Sequence, residues 1–429
     1  MKAIIAAIML ALCLGCSSQE TQVGQTQQAL ASATEVALVG GVTTNSAKVG
    51  FRTDAAASVQ VEYATNPNFN NSTTTSAVST SSSDDFTGVI ALSGLASNQG
   101  HWYRLVVDGV VQDPGFVQKF ATFPTSGDCT FAVFADVANA DRNAIVYQRG
   151  KDDGALFALQ IGDMDHGNPS TLAESRAMHR DNRDPAKVHG EDFAKQILSK
   201  MGVAHVWDDH DYCDDDEDKN CSSKSTAMQA YNEYWPGYDR PNPTDGVYHS
   251  FVCPNVEVFM LDTRFQRDPN TDTDDSNKSM LGDTQKTWLK NALQNSTATW
   301  KVVVSSVTAN LDARPSSNDH WMGGFTTEAQ EMADFLVDEN ITNVVMVSAD
   351  IHTGGAVDDG TNNGWGIPEI SVAHTNLANG NSANLGTWSE GVTAGTNGRS
   401  GYALITATST SLTLQAKAKN GTVRHSLTL

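Results

Sequence analysis

Runs of basic residues are missing from this chain. Its 28 lysines and arginines face 50 aspartates and glutamates, a formal charge of −22. A nucleic-acid-binding surface needs clustered cations, so that class of function is excluded. Long apolar runs are missing too: residues 3–14 form an apolar stretch, too short for a bilayer-spanning helix. Cysteine is scarce, six in 429 residues, and never spaced as the paired knuckles of a structural zinc site. No internal repeat is present.

What the chain does have is five short apolar runs, each ending in a carboxylate or a carboxylate–histidine pair. Residues 131–135 run into Asp136, and 156–161 into Gly162-Asp163. Residues 203–207 run into Asp208-Asp209-His210, 256–261 into Asp262, and 343–348 into Asp350 and His352. Runs of this length bounded by turn residues read as buried strands of an α/β sheet. Helix-like composition between them, at 173–183, 191–201, 288–293 and 328–337, fits that alternation. Ligands bind beyond the carboxyl ends of such strands, so the acids and histidines converge on one edge. One Asp after a strand is ordinarily a turn former or helix cap. Five acidic endings, two of them carrying His, exceed what turn chemistry asks. Hard oxygen donors mixed with imidazole point to a divalent-metal site.

The ends of the chain carry other signals. Residues 1–16 have one Lys, the apolar stretch and then Gly15-Cys16, the pattern of a secretory signal. Leu14-Gly15-Cys16-Ser17 is similar to a bacterial lipoprotein box, with Cys13 where the box usually has Leu. The expected location is therefore an outer-membrane lipoprotein held by a lipid on Cys16, or a periplasmic or secreted protein after ordinary cleavage. Residues 17–34 read as a flexible tether. Residues 35–123 alternate apolar and polar positions between Gly, Asn, Ser and Pro turns, as a β-sandwich does. Residues 124–128 form a linker and the second domain occupies 129–429. The even number of remaining cysteines favours disulfides in an exported chain. Cys213 and Cys221 flank an acidic loop, and their short separation makes them the expected pair.

Three of the strand endings carry a resemblance. Gly162-Asp163, Trp207-Asp208-Asp209-His210-Asp211 and Ser348-Ala349-Asp350-Ile351-His352 resemble signatures of the PhoD-type alkaline phosphatases. These belong to the calcineurin-like and purple-acid-phosphatase-like metallophosphoesterases. The likeness continues through Leu261-Asp262-Thr263-Arg264, Leu281-Gly282-Asp283-Thr284-Gln285 and Trp300-Lys301-Val302-Val303-Val304, covering roughly residues 129–410 in the family's order. It implies a fibronectin-III-like N-terminal sandwich and an α/β catalytic domain of packed mixed sheets flanked by helices. It also implies two divalent metal ions, with Asp163 the bridging ligand, Asp136 and His352 on the first metal, and Asp209 and Asp350 on the second. His210, beside a ligand, becomes the catalytic group that contacts the phosphoryl group or protonates the leaving oxygen. Arg264 either binds a phosphate oxygen or braces the site.

Departures from the family pattern narrow the metal. The family often has Cys at Asp136 and Tyr at His166, a pair suited to ferric iron. Asp136 with His166 suits Zn²⁺, Mn²⁺, Mg²⁺ or Fe²⁺ instead. His166 supplies an imidazole where the wider superfamily has one at the position of Ala138. Ser305 and Ser306 stand where that superfamily takes a further ligand, and hydroxyls are poor ones. The loop Asp214-Asp215-Asp216-Glu217-Asp218 is either a solvated surface or a Ca²⁺ site. The implied function is hydrolysis of small-molecule phosphate esters by a metal-bound hydroxide. The alternatives are a phosphodiesterase of phospholipase D type and a non-catalytic, Ca²⁺-binding surface protein.

Overall fold

A run of apolar residues buried on both faces is the mark of a strand inside a parallel sheet, and three such runs lie side by side at the centre of the molecule. In this computed structural model, which describes residues 31–137, 144–187, 193–313, 317–376, 386–390 and 400–429, they are Cys129–Val137, Phe157–Ile161 and Gly202–Val206. They pair in parallel, Phe131 with Phe157 and Phe157 with Gly202. The leader, the lipoprotein box, the tether up to residue 30 and Ala138 lie outside the described residues.

The sheet extends in both directions. On one side Gly401–Ala407, Leu412–Ala418 and Val423–Thr428 add antiparallel strands, so the C-terminal pattern builds an edge. On the other side Leu38–Gly40 pairs in parallel with Gly202–Val206 through Val39 and Gly202, followed by Ser46–Arg52 and Thr87–Ser93. These last three strands are one leaf of the N-terminal sandwich. Its other leaf is built on Ser58–Ala64 and Gly100–Val107, the latter alternating half-buried and buried positions along its length. The segments expected as separate domains therefore share a ten-stranded sheet, and residues 31–429 form one compact unit. Close approach makes this join possible: a Cβ on Gly40 would meet the Pro236 carbonyl oxygen at 2.2 Å.

A second sheet orders His249–Cys253, Val256–Met260, Trp300–Val307, Val344–Ala349, Glu369–Ser371 and Ala356–Asp358. Helices Gly282–Asn295 and Thr326–Asp338 each lead into one of its parallel strands. Leu172–Asp181 starts at a capping box, in which Thr171 and Glu174 each satisfy the other's backbone N–H. Within the described residues, the expected helix over 191–201 appears as a helical segment that widens into a π-helix at Ala194–Leu198. The two large sheets face each other across one apolar cluster containing Phe131, Phe157, Val203, Val258 and Val304. Cys129 and Cys253 bond one sheet to the other, and Cys213 bonds to Cys221 as expected.

Candidate metal centre

Four of the five acidic strand endings meet at one edge of the paired sheets. Ligand atoms of Asp136, Asp350 and His352 lie within 4.8 Å of one another, as do those of Asp163, His166 and His352, and those of Asp163, Asp209 and His210. Asp163 and His352 each stand in two of these groups, which makes the three groups continuous. His352 Nε2 is 3.2 Å from Asp350 Oδ1 and 3.9 Å from Asp136 Oδ1. The His166 and His210 rings are 4.2 Å apart.

The backbone aims these groups at a cost. Asp136, Asp163, Asp350 and His352 have φ of 51°, 50°, 57° and 48°, the left-handed region that side-chain-bearing residues rarely adopt. Asp136 turns within the last residues of its strand Cys129–Val137, and the other three turn just past theirs. Gly162 has φ 101°, and a Cβ there would sit 2.5 Å from the Asp208 Cβ. Only glycine lets the two loops come this close.

The donors suit cations. Asp163 is 2 % exposed, and its Oδ1 has no hydrogen-bond partner among the described residues. Burial first, then the neighbouring carboxylates Asp209, Asp208 and Asp136, push its carboxyl well above the usual range. Burial holds His166 down at about 4, with His210 adding to the effect, so the ring is neutral at pH 7. Its Nδ1 donates to the Val137 carbonyl at 3.0 Å. That leaves a lone pair on Nε2 facing Asp163 Oδ2 at 3.2 Å. With Asp163 ionised, two acceptors at that distance repel unless a cation lies between them, and a bound cation favours that ionised form over the protonated one. The residues present fit a divalent-metal site.

A layer of polar residues beneath these groups holds them, and most of it carries no sequence signal. Asp208 is buried and accepts from Ser306 Oγ at 2.8 Å and from Arg264 Nε. Burial raises its carboxyl to about 8, against the pull of Arg264. Asp319, absent from the sequence reading, takes both terminal nitrogens of Arg264 at 2.8 Å and pairs with Arg267 at 2.7 Å. Burial would raise Asp319, but the two guanidiniums hold it well below the carboxylate range. Asp211 accepts the backbone N–H groups of Asp165 and Asp208, both at 3.3 Å. Asp211 stood in the sequence motif; Asp319 follows a serine–asparagine stretch with no apolar run to point to it.

These contacts bear on three of the positions singled out in the sequence. Arg264 has the geometry of a brace, the second of its two expected roles: its side chain has no solvent exposure, and Asp208, Asp319 and the Glu217 carbonyl take its donors. Asp262, the fifth acidic ending, turns inward and accepts from Trp207 Nε1 at 2.9 Å and from the N–H groups of Val247, Arg264 and Phe265. Ser306 serves Asp208, while Ser305 donates to the Val307 carbonyl and accepts from Trp321 Nε1. The acidic loop is tied to the centre, since the Asp216 N–H donates to Asp209 Oδ2 at 2.8 Å and Asp209, Asp216 and Asp319 form a further group of close ligand atoms.

The sequence model described as PhoD-like phosphatase matches residues 131–420, and the one for that family's N-terminal domain matches residues 21–124. The chain belongs to the PhoD-like phosphatase family. Its likeness to alkaline phosphatase D of Bacillus subtilis (strain 168) is 30 % identity over 241 residues, 49 % of this chain. The match spans 40 % of that relative's length. A solved structure of PhoD superposes with a TM-score of 0.72 at 19 % identity, covering 89 % of this chain and 86 % of that one. Purple acid phosphatase PPD1 from yellow lupin (Lupinus luteus) seeds gives 0.61 at 12 % identity, over 91 % and 73 %. At these identities the PhoD-like chain shares the fold with both structures: an all-β N-terminal region and a catalytic domain of mixed sheets and helices.

Proposed function

We propose that the protein is an exported hydrolase of phosphate esters that works with two divalent cations. The observation that carries this reading is the His166–Asp163 contact, a neutral imidazole lone pair 3.2 Å from a buried carboxylate oxygen, inside a cluster of further acids. Asp163 would be the shared ligand, and Asp136, His166, His352, Asp350 and Asp209 would complete the set. Bound there, the cations supply Lewis-acid chemistry, offsetting phosphoryl charge and making a water acidic enough to attack near neutral pH.

The chain's own part is orientation and proton supply. His210 Nδ1 lies 2.5 Å from Asn168 Oδ1, and Asn168 Nδ2 donates to Asp214 Oδ1, which fixes the amide's orientation. Nδ1 therefore carries a proton, and Nε2 is the nitrogen that can give one to the departing alkoxide. Asp215 Oδ1, 3.6 Å from Nε2, orients the ring from the other side. Family membership supports phosphoester hydrolysis, and the disulfides Cys129–Cys253 and Cys213–Cys221 support an oxidising compartment.

The test is release of p-nitrophenol from its phosphate monoester and from its diester, with and without EDTA. Chelator-sensitive turnover of either ester is expected. A purified, folded protein that binds Ca²⁺ and turns over neither would replace this reading with that of a calcium-binding surface protein. Mass spectrometry of the mature N-terminus tests export: a lipid on Cys16 is expected, and an unmodified start downstream of it would remove the anchor.

A further inference from the structure

We infer a binding site for one compact monovalent anion, of the halide class, in the seam between the N-terminal sandwich and the catalytic sheet, at Arg183. This residue follows helix Leu172–Asp181, and its carbonyl accepts the Val36 N–H at 3.1 Å, so its backbone stitches the catalytic domain to the start of the sandwich. Its side chain is enclosed: Arg183 is 3 % exposed, with the guanidinium carbon 5.0 Å from the Tyr234 ring centre and 5.4 Å from that of Trp235. Yet Nε and Nη2 are buried with no hydrogen-bond partner among the described residues. A buried guanidinium ordinarily spends its donors on a carboxylate or on carbonyls.

The nearby charges leave it uncompensated. Glu35 accepts from Arg52 at 3.2 Å and from Thr34 Oγ1, and Asp85 accepts from Arg52, Arg180 and the Tyr234 hydroxyl. Three guanidiniums, Arg52, Arg180 and Arg183, thus share two carboxylates; among the described residues Arg183 has no direct ion pair, and Glu35 attracts it only while already paired with Arg52. Arg176 is satisfied by Glu233 at 2.6 Å and adds nothing to the balance. A neighbouring polar atom is also unpartnered among the described residues: Trp235 Nε1 is a buried donor without an acceptor. His205 cannot serve as that acceptor's substitute for charge, because its Nδ1 donates to the Gln160 carbonyl at 3.1 Å and its ring is neutral. Water would satisfy donors but not the charge. An anion does both.

The site bears on the catalytic loop. Asn182, the residue before Arg183, donates through Nδ2 to Asp165 Oδ2 at 3.4 Å, inside the Asp163–His166 turn. An anion seated on Arg183 would therefore stiffen both the seam and the ground under the metal ligands.

The test uses the full chain. Its melting temperature is measured in sodium chloride, sodium bromide and sodium gluconate at equal ionic strength, and bromide is located by anomalous scattering in crystals of the wild type. A saturable rise on the order of 2 °C in the halides alone is expected, with a bromide peak bridging Arg183 and Trp235. Arg183→Met should abolish the halide-dependent part of the shift. If that variant does not fold, the wild-type crystals still decide: no bromide peak in the seam, or ordered water in its place, would overturn the site. Equal melting in chloride and gluconate would do the same.

Discussion

The proposed function gives Asp163 the metals and His210 the proton, and single substitutions should separate these roles. Asp163→Asn removes the full negative charge of the proposed shared ligand and should abolish both tight metal binding and turnover. His210→Ala should lower kcat by about 10²–10⁴ with metal content unchanged. Metal analysis alongside the assay decides, since loss of metal from the His210 variant would make it a ligand. Arg264→Met should act differently, by stability. It leaves Asp208 buried without its cation and Asp319 with Arg267 alone, a loss of about 3–5 kcal/mol on urea denaturation. A variant as stable as the wild type would show that the brace is dispensable. His166 in place of a tyrosinate means that the purified protein should be colourless; an intense visible band would put a Tyr or Cys on iron. At this scale the sequence was legible where chemistry and strand ends coincide, as at Asp136, Asp163, Asp209 and Asp350. It was silent on Asp319, because a carboxylate in a loop looks the same whether it faces water or two guanidiniums.

Strands and loops carry the next set of consequences. The two disulfides tie different things and should fail differently. Cys129–Cys253 closes a loop of 124 residues and joins the two sheets. Replacing both cysteines by serine should cost roughly 3–5 kcal/mol and lower the melting temperature while leaving specific activity intact. Cys213–Cys221 closes only 8 residues, but its loop delivers the Asp216 N–H to Asp209 and Asp215 to His210. Its removal should cost less stability and more activity. The reverse pattern in melting curves and assays would show that the acidic loop holds its shape without the bond. Parallel strands could be read directly from their apolar runs. The π-helical winding at Ala194–Leu198 could not, since composition reports helix-forming residues but not which hydrogen-bond register the helix takes.

For the whole molecule, acid should be the weak direction. Burial holds the His205 ring down at about 3 and His249 at about 4, against 6.5 when exposed. Between those values the unfolded chain binds more protons than the folded one, so stability falls as pH drops from about 6.5 toward 4 and is fully present above that window. The urea midpoint should therefore fall from pH 7.5 to pH 5, and an unchanged midpoint would mean that the imidazoles are not buried neutral. The N-terminal region and the catalytic domain were both legible as separate patterns. Their shared sheet was not, because Val39 and Gly202 pair across a separation that no local period records.

That shared sheet decides how the protein comes apart. Two domains on a linker would melt in two steps, each with its own heat. Backbone ladders that run from Val423–Thr428 to Thr87–Ser93 in one piece, over a common apolar core, make the loss of either part expose an open edge of the other. Scanning calorimetry should record a single endotherm, and a chain cut back to residues 124–429 should self-associate through the bared strand Gly202–Val206 instead of persisting as a monomer.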